Sequence, residues 1–322
     1  MKYAQIAGTG SYLPDRIMSN EDFEKFVDTS DAWIQERTGI KRRRIAADNQ
    51  KTSDLALAAA RSTLLAADTD AAEVDLLIVA TSTPDKVFPA TACIVQKHLN
   101  IKNFPAFDVN AACSGFIYAL DVANRFVRTG GARCALVIGA EIYSRILNWK
   151  DRTTCVLFGD GAGAVLLRAA DEPGIISTHA HADGAFEELL HVPSGIASGC
   201  DAVRTGGGCI EMEGREVFRK AVGTLDIIAT ETLVNNGIEA DEIDWLIPHQ
   251  ANMRIIVATA RKLNLPMERV VVTVDEHANT SSASIPLALD VAVRDGRIQR
   301  GNMLLFEAFG AGFTWGSALV RY

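Results

Sequence analysis

Cys113 stands in the run Asn110-Ala111-Ala112-Cys113-Ser114-Gly115. A short apolar segment ends near Val109. Phe116, Ile117, Leu120, Ala123 and Val127 then follow at helical spacing, with Arg125 and Arg128 in the last turn and Gly130 as a stop. This pattern predicts a strand, a tight turn, and a helix that begins at or just after Cys113. Unpaired amides at a helix start favour a thiolate, the form of cysteine that attacks acyl carbon. The small neighbours Ala111, Ala112, Ser114 and Gly115 leave room for a substrate. A buried structural cysteine fits the same placement, and placement alone does not separate the two.

A nucleophile needs partners. Trp245 to Pro248 reads as a strand, with His249 just past its end, at the lip where α/β folds build sites. Val270 to Val274 reads as another strand, followed by His277-Ala278-Asn279-Thr280. An internal repeat links these segments to Cys113. Val74-Asp75-Leu76-Leu77-Ile78 resembles Ile243-Asp244-Trp245-Leu246-Ile247; Leu99-Asn100-Ile101 resembles Leu263-Asn264-Leu265; Gly163 to Arg168 resembles Gly316 to Arg321. The matches keep their order at offsets of roughly 150 to 170 residues, a domain-sized period. On this register Asp275 to Thr280 mirrors Asp108 to Cys113. Pseudo-twofold packing of two such units would bring Cys113, His249 and Asn279 together at the centre. Taken singly, His249 reads as a structural histidine and Asn279 as a turn residue.

The elements that must position these residues alternate between strand-like runs and helical patterns: Thr52 to Ala67 as helix, Val74 to Ala80, Cys134 to Gly139 and Gly163 to Arg168 as strands. That alternation predicts an α/β fold with buried strands. The turn Asp171-Glu172-Pro173-Gly174 separates two halves, 1–172 and 173–322. The chain has 322 residues, 48% of them hydrophobic, enough for a large core. Its net charge of −8 speaks against non-specific nucleic-acid binding. No apolar run is long enough for a membrane span, and the start of the chain carries no secretory pattern. The six cysteines, 93, 113, 134, 155, 200 and 209, form no CxxC pair and read as reduced thiols of a cytoplasmic protein.

Several patterns mimic other functions. Gly159-Asp160-Gly161-Ala162-Gly163-Ala164 fits a dinucleotide fingerprint, but a short strand and Pro173 follow it, not a long helix. Gly8-Thr9-Gly10 runs into Pro14 and fails likewise. His179 and His181 share a strand face, with His191 nearby, but no further motif completes a metal site, and none is expected. Lys41-Arg42-Arg43-Arg44 reads as a solvated basic strand.

The chain resembles β-ketoacyl-[acyl-carrier-protein] synthase III, a condensing enzyme of the thiolase fold, from about Tyr3 to Tyr322. The motifs that carry the likeness are Asp31-Ala32-Trp33-Ile34-Gln35-Glu36-Arg37-Thr38-Gly39-Ile40, Asn110 to Gly115, Phe158 to Ala164, Pro248-His249-Gln250-Ala251-Asn252, His277 to Ser281, and Glu307 to Ser317. The resemblance implies two pseudo-symmetric α/β halves in five αβαβα layers. It implies transfer of a short acyl group, expected to be acetyl, from acyl-CoA to Cys113. Decarboxylative Claisen condensation with malonyl-acyl-carrier protein would follow and start fatty acid synthesis. His249 and Asn279 would donate hydrogen bonds to the enolate oxygen. The turn Phe309-Gly310-Ala311-Gly312, with the amide of Cys113, would hold the other oxyanion.

By the same resemblance Trp33 and Arg152 sandwich the CoA adenine with Arg37 beside them, and the Lys41 to Arg44 face lies near the CoA phosphates. Phe88 caps the acyl channel of a partner subunit in a homodimer, and Lys220, Arg254, Arg261 and Lys262 meet the acidic carrier protein. Arg254, Ala258 and Arg261 recur at i, i+4 and i+7, one helical stripe. The thioesters are substrates, and no cofactor is implied. Two positions depart from the family, Ala311 and Ala278, where glycine is commoner; both read as mild changes. A type III polyketide synthase using malonyl-CoA shares Cys-His-Asn and is the alternative. A thiolase needs a second cysteine near the C-terminus, which is absent here; the elongating synthases need a second histidine, where this chain has Asn279.

Overall fold

Alternation along single strands decides how the layers stack. In strand β4 (Leu76–Ala80), Leu76, Ile78 and Ala80 face one core while Leu77 and Val79 face another. A strand buried on both faces belongs inside a layered α/β fold. The computed structural model describes residues 2–199, 201 and 208–322; Cys200 lies outside them. The first sheet has the order β1 (Tyr3–Tyr12), β7 (Asp160–Ala170), β6 (Cys134–Ile142), β4 and β5 (Ala106–Val109), with β4, β5 and β6 parallel and β7 antiparallel to both neighbours. The second has the order β11 (Trp245–Pro248), β12 (Met303–Gly310), β13 (Thr314–Arg321), β8 (Ile175–Ala182), with only β11 and β12 parallel. Read from β8, the second sheet repeats the first, with β8, β13, β12 and β11 in the places of β1, β7, β6 and β4. A strand was expected over Val270 to Val274. The chain instead makes one parallel bridge there, Val270 to Leu246, in the place of β5, and turns helical over Val274–His277.

Seven helices of eight or more residues stand out among the described residues: α1 (Asp31–Thr38), α2 (Thr52–Ala66), α3 (Thr91–His98), α4 (Gly115–Arg128), α5 (Gly214–Asn236), α6 (Met253–Lys262) and α7 (Ser284–Arg294). Helices α2 and α3 cover the outer face of the first sheet through Leu55, Ala59, Ala92 and Val95. Helices α4 and α7 fill the space between the sheets with Phe116, Leu120, Ile285 and Leu289. Helices α5 and α6 cover the second sheet with Leu225, Ile228 and Ile255. The result is five layers, αβαβα. No helix among the described residues is long and apolar enough to cross a membrane.

Two glycines let each half receive a turn from the other. A Cβ on Gly139 of β6 would lie 2.3 Å from the carbonyl oxygen of Ser282, in the turn before α7. A Cβ on Gly310 of β12 would lie 2.8 Å from the amide nitrogen of Cys113, in the turn before α4. Both contacts are with backbone, so neither neighbour can swing aside.

The basic run after α1 departs from its sequence reading. In the hairpin of β2 (Arg16–Ser19) and β3 (Arg42–Ile45), Arg43 is fully buried. Its guanidinium lies over the Phe23 ring and donates to Asn20 Oδ1 and the Val156 carbonyl, both at 2.8 Å. Burial lowers its pKa to about 10, so it keeps its charge and finds hydrogen bonds where the solvated reading expected water. Gly8-Thr9-Gly10 lies inside β1, where the bare Gly10 lets α2 approach.

Candidate active site

Cys113 sits in a single 3-10 turn, Ala112–Ser114, that leads into α4. The turn is pinned to β13: Ser114 Oγ donates to the Thr314 carbonyl at 3.0 Å and Thr314 Oγ1 to the Ala111 carbonyl at 2.9 Å. Cys113 is 6% exposed. Burial pushes its thiol up to about 12, and the carboxylate of Glu141 acts in the same direction. Burial therefore opposes the ionisation that the helix start and the Ser281 hydroxyl favour. Taking an anion out of water is costly, and the helix end acts in the opposite sense.

His249 follows β11, and its amide donates to the Glu307 carbonyl at 2.7 Å. Burial lowers the ring to about 3, so it is neutral. Its Nδ1 lies 2.6 Å from Ser284 Oγ, which also accepts the Gln250 amide at 3.3 Å. The Ser284 hydroxyl has one proton, and Nδ1 is its sole acceptor among the described residues. With Ser284 donating to Nδ1, the ring hydrogen sits on Nε2, free to donate into the cleft. Asn279 is held in the same sense. Its Oδ1 accepts the Ser281 amide at 2.9 Å, and its backbone bonds Leu157 and Gly159. The amide group Nδ2 is left to donate.

Cys113, His249 and Asn279 line one cleft with Phe309, Phe218, Leu225 and Ile255. A second cavity of about 220 Å³ also reaches Cys113, lined in part by Ser82, Tyr143, Ile146, Phe158 and Ala311. Tyr143 and Phe158 stack there with centroids 5.0 Å apart. Phe309 and Gly310 close β12 over the nucleophile turn, and Ala311 and Gly312 continue into β13. The departures at Ala311 and Ala278 differ in kind. Ala311 has no positive φ, so its methyl is tolerated; Ala278 holds φ 58 and ψ −162, a region that suits glycine.

The remaining sequence candidates fall around this core. Trp33 on α1 is bracketed by Arg37 and Arg152, with guanidinium carbons 4.8 and 5.1 Å from its ring centroid. Arg152 rests directly on the indole, so the structure leaves no slot between them for a base. Phe88 is 81% exposed and does not line its own chain's cavities at Cys113. Arg254 lies over Phe218, a lining residue of the cleft, with 5.1 Å between them, and Arg261 is exposed farther along α6. Lys220 caps the Phe186 ring at 3.7 Å, and Lys262 pairs with Asp226 at 3.1 Å. His179 and His181 both face Glu231.

Two carboxyls near the site were missed in the sequence. Glu141, in β6, accepts from Thr83 Oγ1 at 2.7 Å and Ser282 Oγ at 2.9 Å. Glu307, in β12, has both side-chain oxygens buried without a hydrogen-bond partner among the described residues. The signal was available: each is a lone charge inside an apolar strand run.

Profiles of 3-oxoacyl-[acyl-carrier-protein] synthase III match residues 107–184 and, for its C-terminal part, 233–322. The chain is 64% identical to β-ketoacyl-[acyl-carrier-protein] synthase III of Thioalkalivibrio sulfidiphilus over the whole of both chains. It is 60% identical to the Xanthomonas campestris enzyme of that name, covering 99% of this chain and 98% of the relative. Among solved structures, the 3-oxoacyl-[acyl-carrier-protein] synthase III of Aquifex aeolicus superposes with a TM-score of 0.93 at 48% identity, covering 99% of this chain and 100% of that one. That of Pseudomonas aeruginosa gives 0.93 at 40%, covering 99% and 98%. Fold and site together define a thiolase-fold condensing enzyme, an acyltransferase. The chain belongs to the β-ketoacyl-[acyl-carrier-protein] synthase III family.

Proposed function

We propose that this synthase takes a short primer, acetyl-CoA by preference, and joins it to malonyl-acyl-carrier protein with loss of CO2. The observation that carries this reading is the pair of fixed donors, His249 Nε2–H and Asn279 Nδ2, on the cleft that holds Cys113. In the first half-reaction the Cys113 sulfur attacks the thioester carbonyl, and CoA leaves as its thiolate. The amide of Cys113 and the turn Phe309 to Gly312 steady the oxyanion. In the second, the malonyl thioester oxygen lies between His249 and Asn279. Two donors there stabilise the enolate left when CO2 departs, so no base is needed for that step. The enolate carbon attacks the acyl-cysteine carbonyl, and Cys113 leaves as a thiolate.

The cavity of about 220 Å³ lined by the stacked Tyr143 and Phe158 supports a short primer. In this reading Arg152 swings off Trp33 to admit the adenine, Arg37 and the Lys41 to Arg44 face hold the CoA phosphates, and the exposed Phe88 caps a partner's acyl channel in a homodimer. Residues 1–172 bring the nucleophile and 173–322 the two donors. The enzyme works in the cytoplasm without a cofactor. Labelled acetyl-CoA tests the assignment: a peptide carrying acetyl on Cys113 is expected, and malonyl-carrier protein chases it into acetoacetyl-carrier protein. A chase by free malonyl-CoA at equal speed, or label on another residue, would overturn it.

A further inference from the structure

Asn279 has to keep its amide group aimed into the cleft, yet the turn that carries it is short and strained. Its Oδ1 accepts the amide of Ser281 at 2.9 Å, two residues on, and that bond leaves Nδ2 to donate. Ser281 itself is held at φ 48, in the left-handed region that serine seldom adopts. A residue stays in such a conformation only when its surroundings over-determine it. The aim of Asn279 therefore depends on what fixes Ser281.

What fixes it comes from the other half of the chain. Tyr143 lies in the turn after β6, and its phenol oxygen accepts Ser281 Oγ at 3.0 Å. The Tyr143 ring stacks on Phe158, with centroids 5.0 Å apart and planes 28° from parallel. Phe158 in turn makes a parallel backbone bridge with Asn279. The Asn279 amide donates to the Leu157 carbonyl at 2.9 Å, and the Gly159 amide to the Asn279 carbonyl at 3.0 Å. One side chain thus braces Asn279 twice, through the Ser281 hydroxyl and through the Phe158 ring. Tyr143, Phe158, Asn279 and Ser281 are all buried, where a hydrogen bond holds geometry more firmly than in water.

We infer that Tyr143 is a positioning residue for decarboxylation, aiming the Asn279 donor through Ser281 and Phe158. This rests on Asn279 donating to the enolate oxygen. A donor must already be in place when charge develops there, and a displacement of ~1 Å costs up to about 100-fold in rate. Without the phenol oxygen, Ser281 is free to leave its left-handed conformation. Its amide then moves off Asn279 Oδ1, and the asparagine side chain turns away from the enolate oxygen. Tyr143 also lines the cavity beside Cys113. The wall of the primer cavity and the decarboxylation donor therefore share one support, and it crosses from the first half of the chain to the second.

Primer-independent CO2 release from malonyl-carrier protein, with rapid-quench acetylation of Cys113 measured separately, tests this. Tyr143→Phe keeps the ring and its stack and removes the oxygen alone. It should lower the ratio of CO2 release to acetylation about tenfold, a part of the 10²- to 10³-fold cost of losing a donor outright. The coupling to Asn279 separates aiming from general support of the fold. In the Asn279→Ala background, Tyr143→Phe should slow CO2 release by no more than about twofold further, because the donor it aims is already gone. An undiminished loss in that background, equal loss of both half-reactions, or a wild-type ratio in Tyr143→Phe overturns the inference. If Tyr143→Phe does not fold, Ser281→Ala cuts the same hydrogen bond from the other side and is read by the same coupling. If Asn279→Ala alone releases CO2 at the wild-type rate, the donor reading falls, and the inference with it.

Discussion

Among the residues at the site, the same burial has opposite consequences for sulfur and imidazole. It makes Cys113 a reluctant nucleophile and His249 a dependable neutral donor. The three side chains should therefore separate by half-reaction. Cys113→Ser should take no acetyl group from acetyl-CoA, since an alcohol is harder to ionise than a thiol in the same place. His249→Ala and Asn279→Ala should still be acetylated, but release CO2 from malonyl-carrier protein about 10²- to 10³-fold more slowly, the usual cost of losing an oxyanion donor. Decarboxylation at the wild-type rate in either variant would remove that residue from the role. Glu307 shows burial acting on stability. Burial, with no hydrogen-bond partner among the described residues, pushes its carboxyl from 4.5 up to about 8. Between those values the folded chain holds a proton that the unfolded chain has released, so stability falls as pH rises through the window. Glu307→Gln removes that loss. Its Tm relative to wild type should climb from about pH 5 to about pH 9; a difference that stays flat with pH would show that Glu307 is ionised in the fold.

At the scale of elements, the site is made by turns that end in helix starts. The turn before α4 carries Cys113, and its repeat-mate before α7 carries Asn279 and Ser281. Each lies against a glycine of the opposite half, Gly310 and Gly139. The turns themselves hold left-handed residues, Ala112, Ala278 and Ser281. Ala278 is the costly one, because its φ and ψ place it where a Cβ crowds the backbone, at about 1–3 kcal/mol. Ala278→Gly should relieve that strain, offset by about 0.5–1 kcal/mol from the freer unfolded chain. A net gain of about 1 kcal/mol in urea unfolding is expected, and a loss would show that the methyl packs better than the backbone suffers.

At the scale of the molecule, an acidic enzyme must meet an acidic carrier protein. The chain carries −8 overall, so attraction has to be local. Lys262 is paired with Asp226 and Lys220 is held on Phe186, which leaves Arg254 and Arg261 as the more open cations of that face. Arg254 is also seated on Phe218 at the cleft. Arg254→Glu should raise KM for malonyl-carrier protein at least about tenfold and leave acetylation by acetyl-CoA nearly unchanged. The wild-type KM for the carrier should also rise with salt, because exposed charges are screened over about 10 Å at 0.1 M. Equal loss with both substrates would place Arg254 in the fold or the CoA site.

What the sequence determined by itself was local and periodic. Helix α4 and its stop were legible from apolar spacing and from Gly130, and β4 and β6 from continuous apolar runs, because those signals are written in neighbouring residues. The repeat pointed to the meeting of Cys113, His249 and Asn279, and the motifs to the family. The tertiary structure decided what depends on desolvation and on non-local partners. It set burial against the ionisation of Cys113, because the charge at a helix start is a local property and burial is not. It placed Arg43 in the core, because Asn20 and Val156, far away in the chain, supply its acceptors. It reduced the expected strand at Val270 to a single bridge, because β-branched residues state a propensity that only a neighbouring strand can realise.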